Sequence, residues 1–152
     1  MTPTEKVNRL TKNHADKKRT STTPPIDLVV RAVDAVLSRK AEKVLVMDLR
    51  DVTGIADYFV ICEGTTDIQI KAIANAAIDQ VKEHCSEKPW HSEGMDTLQW
   101  VLLDYVDVVV HVMTPEKREY YGLERLWGDA STVEIADELN TDEIKEALSA
   151  VA

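Results

Sequence analysis

Two apolar runs set only two residues apart constrain this chain more than any other feature. LQWVLLD, 98–104, and DVVVHVM, 107–113, flank Tyr105 and Val106. Each is too short for a helix of ordinary length, and Val is frequent in the second, so both read as strands. Two residues between them leave room only for a tight turn, which makes the pair a hairpin. Their apolar character is nearly continuous rather than alternating, so both faces of the sheet there must be covered, or nearly so. A chain of 152 residues has enough material for one such domain.

The other elements follow from periodicity and punctuation. Thr23 as N-cap and Pro24 at the first helical position open a helix with Ile26, Val29, Val30, Val33 and Leu37 at helical spacing. KVLVMDLR, 43–50, and YFVICEG, 58–64, read as strands around a turn region at 51–57. Thr66 caps a second helix, with Gln69 three residues on completing a capping box and a stripe of Ile70, Ile73, Ala74, Ala77 and Val81. That helix fades near His84 and Cys85. KPWHSEG, 88–94, is a short strand ending at Gly94. Thr114 and Pro115 open a third helix over 116–127, weakened at Gly122. The order is α-β-β-α-β-β-β-α without internal repeats. It predicts a single α/β or α+β domain: a sheet of about five strands with packed helices. Short acidic helices are expected in 131–152.

Charge divides the chain into three. Residues 1–25 hold six Lys/Arg against two Asp/Glu, +4, with little apolar periodicity, and read as a solvated basic tail. Residues 26–130 carry −8 and form the domain; residues 131–152 carry −5 and form an acidic extension. The sum is −9. An acidic body repels phosphate backbones and attracts basic proteins. Direct RNA contact by the tail is the less favoured reading, because no aromatic residue accompanies its cations. No apolar run reaches the ~20 residues a membrane span needs, no secretory segment opens the chain, and two cysteines, Cys62 and Cys85, cannot build a disulfide framework. The expected compartment is the cytoplasm.

Little in the sequence points to chemistry. The five glycines form no phosphate-binding loop. Gly64-Thr65-Thr66 reads as a strand end and a cap rather than an anion site. His84, Cys85 and His91 lack the paired spacing of zinc ligands. Asp104 and Asp107 are spaced DxxD, not the DxD that holds two metal ions for nucleotidyl transfer. Neither catalytic residues nor a cofactor are expected. Aromatic residues beside charges, as in DYVD and REYYGLERLW, have the composition of interface anchors.

IADYFVIC, WVLLDY, DVVVHV and YYGLERLW together closely resemble the Iojap family, also called ribosomal silencing factors, over about residues 26–130. The resemblance implies a degenerate nucleotidyltransferase-like domain without catalysis. It implies binding to large-subunit ribosomal protein fourteen on the face that meets the small subunit, and repression of translation in starvation or stationary phase. A ribosome assembly adaptor is the alternative; a nucleotidyltransferase-like enzyme is the more remote one. Many members carry Gly where Val106 stands, and a β-branched residue resists positive φ, so the turn here is expected to avoid that geometry or the strand to continue differently. Trp100, Tyr105, His111, Tyr120 and Trp127 are the candidate anchors for such a contact, and Asp57, Asp104, Asp107 and Glu124 the acids that face a basic partner. Trp100 and Asp104 share strand parity and so one face. A homodimer through exposed aromatics or a sheet edge is left open.

Overall fold

The computed structural model describes residues 23–52 and 54–149. All but the last three residues of the basic segment 1–25 lie outside that range. The elements are α1 (Pro25–Ser38), β1 (Glu42–Asp48), β2 (Tyr58–Glu63), α2 (Asp67–Cys85), β3 (His91–Glu93), β4 (Trp100–Asp104), β5 (Val108–Met113), α3 (Pro115–Tyr121), α4 (Leu123–Leu126), β6 (Ser131–Glu134) and α5 (Thr141–Leu148). They form a mixed α+β domain on one six-stranded sheet, ordered β3-β4-β5-β2-β1-β6. All neighbours are antiparallel except the central pair, β2 and β5.

The period of two along each strand sorts the core into two layers. Val44, Val46, Tyr58, Val60, Cys62, Val101, Leu103, Val108, Val110 and Val112 face one way, under α1, α2 and α5. Leu45, Met47, Phe59, Ile61, Trp100, Leu102, Val109 and Met113 face the other, with Leu49, Ala56 and Leu123. Every residue of β4 and β5 is buried. The apolar hairpin is therefore covered on both faces, as its sequence requires.

Several local expectations shift. Pro24, not Thr23, is the N-cap of α1, because two successive prolines hold Pro24 extended at ψ 138° and delay the helix to Pro25. The Thr23 hydroxyl instead donates to the Cys85 carbonyl at 3.3 Å. At α2 the Thr66 hydroxyl accepts from Gln69 N–H at 3.1 Å. The return bond is displaced by one residue, since Gln69 Oε1 takes the N–H of Thr65 at 2.8 Å. The third helix is two helices, because Gly122 adopts φ +56° and its N–H caps the Arg118 carbonyl at 2.9 Å.

The sheet has six strands rather than about five. STVE, 131–134, pairs antiparallel with β1 as an edge strand. Its polar residues gave no strand pattern, since an edge strand with one mostly solvated surface needs little apolar character. Beyond it, Ile144 and Leu148 of α5 are buried in the helix-covered core. An Asn140–Glu143 capping box starts that helix.

The β4–β5 turn contradicts the expectation for Val106. Val106 sits at φ +75°, and Asp107 N–H donates to the Tyr105 carbonyl at 3.0 Å, a γ-turn of the rare positive-φ kind. The fully buried Asp104 carboxylate accepts the Val106 N–H at 2.8 Å, and Tyr105 N–H closes the hairpin on the Val108 carbonyl at 2.8 Å. Those bonds hold a conformation that costs about 1–3 kcal/mol for a non-glycine residue.

Candidate functional site: an aromatic layer that reaches the surface

The face opposite α1, α2 and α5 carries a line of aromatic rings among its aliphatic residues. Trp100 on β4 donates its indole N–H to His111 Nδ1 on β5 at 3.0 Å. Phe59 on β2 meets the His111 ring edge-on at 4.5 Å between centroids, and meets Trp127 edge-on at 5.3 Å. Trp100 packs on Tyr121 at 4.8 Å, and Tyr121 on Tyr120 at 5.0 Å. The layer thus runs from the buried centre of the sheet outward. Trp100 is 6% exposed, Tyr121 and Trp127 are half-buried, Leu126 is 44% exposed and Tyr120 78% exposed.

Each ring is placed by a sequence device. Trp100 begins β4 where Gly94, at φ +88°, lies against its carbonyl; a Cβ on Gly94 would collide with that oxygen. Thr114 Oγ1 accepts the Lys117 N–H at 3.2 Å and starts α3 directly after β5. Gly122 then turns the chain, and Leu123 anchors α4 into the aromatic face. Arg118 closes the arrangement: Nε donates to Glu124 Oε1 at 2.7 Å and Nη1 to the Lys43 carbonyl at 2.6 Å, with Glu63 Oε1 3.5 Å away. Lys117 Nζ stands 6.0 Å above the Tyr121 ring.

The structure divides the residues named from the sequence. Trp100, His111, Tyr120 and Trp127 belong to one layer. Asp104 shares the Trp100 face but is fully buried and spent on the hairpin turn, and His111 is fully buried as well. Neither offers a side chain to a surface. Tyr105 falls in the opposite layer, under the helices, where burial pushes its phenol above the usual range. Glu124 is held by Arg118. Asp57 and Asp107 are half-buried at the start of β2 and β5, where Asp57 N–H donates to the Asp107 carbonyl at 2.7 Å. They lie two residues before Phe59 of β2 and Val109 of β5. Tyr121, Leu126 and Arg118 are not among the anchors and acids that the sequence suggests. Arg118 and Glu124 are six apart, a spacing that no continuous helix brings together; only the break at Gly122 does.

Two open clefts border the layer. One, about 700 Å³, runs between Gly94–Thr97 and Trp100, Lys117 and Tyr121. The other, about 770 Å³, lies between Trp127, Glu124 and Arg118 and the β1–β6 edge. Among the described residues no three His, Cys, Asp or Glu side chains converge as metal ligands, and no helix is long and apolar enough to cross a membrane.

Fold and face define a class: one-domain α+β proteins with a mixed sheet, one side under helices and the other carrying an aromatic layer that continues to the surface. A family model described as ribosomal silencing factor during starvation, RsfS, matches residues 21–151, and the chain belongs to that family. It is 42% identical over 109 residues to the ribosomal silencing factor RsfS of Halalkalibacterium halodurans, covering 72% of this chain and 92% of that one. It is 29% identical over 110 residues to the chloroplastic protein Iojap of Zea mays, covering 72% of this chain and 47% of the maize protein. A mouse protein named mitochondrial assembly of ribosomal large subunit protein 1 is 32% identical over 97 residues, covering 62% of this chain and 42% of that longer one. A crystal structure from Chromobacterium violaceum superposes with a TM-score of 0.67 at 29% identity, covering 78% of this chain and 96% of that one. One from Bacillus halodurans gives 0.63 at 37% identity, covering 72% and 99%. The relatives' names denote ribosome-associated factors rather than enzymes.

Proposed function

We propose that this protein binds the large ribosomal subunit through large-subunit ribosomal protein fourteen and obstructs joining of the small subunit, lowering translation in starvation or stationary phase. The observation that carries this reading is the exposed end of the aromatic layer, Tyr120 and Leu126 beside Tyr121 and Trp127, on an acidic body. Exposed aromatics around a buried anchor are the makings of an interface centre, and a net charge of −9 favours a basic partner. The mechanism is occupancy. A domain with a radius of gyration near ~13 Å on the intersubunit face keeps bridging groups beyond the few Å they require. The protein acts by mass action on free large subunits in the cytoplasm and performs no covalent step. Such a contact buries on the order of 1,200–2,000 Å², with Trp100 as its floor and Asp57 and Asp107 at its rim.

An assembly role for the same contact is the second reading, favoured by the name of the mouse relative. Two measurements separate them. In gradients the purified protein co-sediments with isolated large subunits, and Tyr120→Ala and Trp127→Ala each weaken binding roughly 30-fold, about 2 kcal/mol. In light scattering the wild type slows subunit association. Binding without any effect on association selects the adaptor; wild-type affinity in both folded variants removes the proposed face. A homodimer through the exposed aromatics would compete with this use and one through a sheet edge would not; sedimentation equilibrium reads either state directly.

A further inference from the structure

We infer that Arg118 is the positioning residue of the docking ridge, a clamp that fixes α3 and α4 on the sheet, and that Glu124 belongs to this clamp rather than to the partner contact. The inference rests on the docking reading above. Neither helix holds itself in place. Helix α3 has seven residues and none of them buried; α4 has four, with only Leu123 buried. Segments this short are not stable as isolated helices. Yet they carry Tyr120, Tyr121 and Leu126 and lead directly into Trp127.

Three local irregularities converge on the one guanidinium. β1 is bulged between Glu42 and Leu45, so Lys43 and Val44 together oppose Cys62. Lys43 takes φ +48° there, and its carbonyl receives Arg118 Nη1 at 2.6 Å. Glu63, at the end of β2, is a buried carboxylate 5% exposed, with Arg118 Nη1 3.5 Å from its Oε1. The break at Gly122 brings Glu124 back to Arg118 Nε at 2.7 Å. A bulge with a non-glycine residue at positive φ and a buried acid each cost stability, and bulges serve to re-aim backbone groups. Here the bulge, the buried acid and the Gly122 break meet at one side chain that is itself only 12% exposed. A forked, planar cation reaches partners on three elements from separate nitrogens, Nε toward Glu124 and Nη1 toward Lys43 and Glu63; an ammonium gathers its three donors on one nitrogen and cannot span them in place. The clamp therefore sets the angle between α3 and α4, and with it the spacing between Tyr120 and Trp127.

The test compares full-length wild type, Arg118→Lys, Tyr120→Ala and their double variant in large-subunit binding, with amide hydrogen exchange as the structural readout. Arg118→Lys is expected to lose roughly tenfold in affinity, about 1.4 kcal/mol. Amides of 115–127 should exchange faster while those of β4 and β5 keep their protection. In the double variant the two losses should fall short of additive, because Arg118 acts through the ridge. Should Arg118→Lys fail to fold, Glu124→Gln loosens the same clamp while leaving Glu63 paired. Full affinity in Arg118→Lys with a loss in Tyr120→Ala overturns the clamp alone. Strictly additive losses place Arg118 outside the ridge and overturn it too. Wild-type affinity for every ridge variant overturns the docking reading instead, and the exchange data still report whether Arg118 holds the helices.

Discussion

The indole N–H of Trp100 reaches Nδ1 of His111 across adjacent strands at 3.0 Å, at the buried end of the aromatic layer. The bond makes Nδ1 the acceptor, so the ring hydrogen of neutral His111 lies on Nε2. It joins the one polar ring of β5 to the ring that floors the proposed interface. Trp100→Phe keeps most of the packing and deletes the donor. The expected cost is about 1–3 kcal/mol of unfolding free energy, against about 3–5 kcal/mol for Trp100→Ala. Urea unfolding monitored by circular dichroism measures both. A Trp100→Phe variant as stable as wild type would show that the bond contributes nothing net. Because Trp100 is core and floor at once, its alanine variant loses affinity and stability together, so Tyr120 and Trp127 are the cleaner probes of docking.

The two cysteines should separate in a thiol titration. Cys62 is fully buried on β2, and burial pushes its thiol up to about 12. Cys85 ends α2 half-buried; burial raises it less, with Glu87 adding to the effect. The thiolate is the reactive form, so at pH 8 Cys85 reacts slowly with an aromatic disulfide reagent and Cys62 does not react until the domain unfolds. One slow equivalent from the folded protein, followed by a second only at the unfolding rate, is the expected trace. Two equal rates in folded protein would mean that β2 opens locally.

Asp48 and Arg50 test the acid limb of stability. Arg50 donates from Nε at 3.0 Å and Nη2 at 2.8 Å, and its backbone N–H at 3.1 Å, to the Asp48 carboxylate. The Arg50 side-chain hydrogen bonds hold that carboxylate below its ordinary range, with burial opposing them. A depressed carboxylate stabilises the fold above the unfolded value of about 3.9, and the contribution is lost as pH falls through the folded value. Arg50 is 42% exposed, so screening keeps the contribution under ~1 kcal/mol. Asp48→Asn should be slightly less stable than wild type at pH 7, and the two should converge as the pH drops below about 3.9. A gap that widens toward acid would reverse the sign and refute the assignment.

The apolar hairpin, the helix stripes and the two-sided core were legible because burial writes itself as periodicity. The turn chemistry was legible in part: Thr66 and Thr114 cap where their spacing says, while consecutive prolines displaced the first cap. The strand at Ser131–Glu134 was not legible, because at a sheet edge the backbone pairing carries the strand. The aromatic patch was half-legible. Sequence named Trp100, Tyr120 and Trp127 together with Tyr105, although the alternation that pairs Trp100 with Asp104 puts Tyr105 on the other face with Val101 and Leu103. Sequence could not separate an acid that meets solvent from Asp104, fully buried under its own hairpin. Arg118 escaped for the same reason: its three partners come from β1, β2 and α4, and only the assembled sheet gathers them.

Val106 offers the sharpest test of the local geometry. It holds φ +75° in a two-residue connection, a region that costs a β-branched side chain far more than it costs glycine. The turn persists because Asp104 Oδ1 takes its N–H and Tyr105 N–H bonds Val108. Replacing Val106 by Gly removes about 1–3 kcal/mol of strain and adds about 0.5–1 kcal/mol of unfolded-chain entropy. The net expectation is a gain of about 1 kcal/mol, seen as a higher urea midpoint with an unchanged slope. Asp104→Ala should move the midpoint the other way, since it leaves a part-buried N–H without its acceptor. If Val106→Gly lowered the midpoint, the turn would be relaxed as it stands, and the hairpin would owe its shape to packing of the Val106 side chain rather than to the buried carboxylate beneath it.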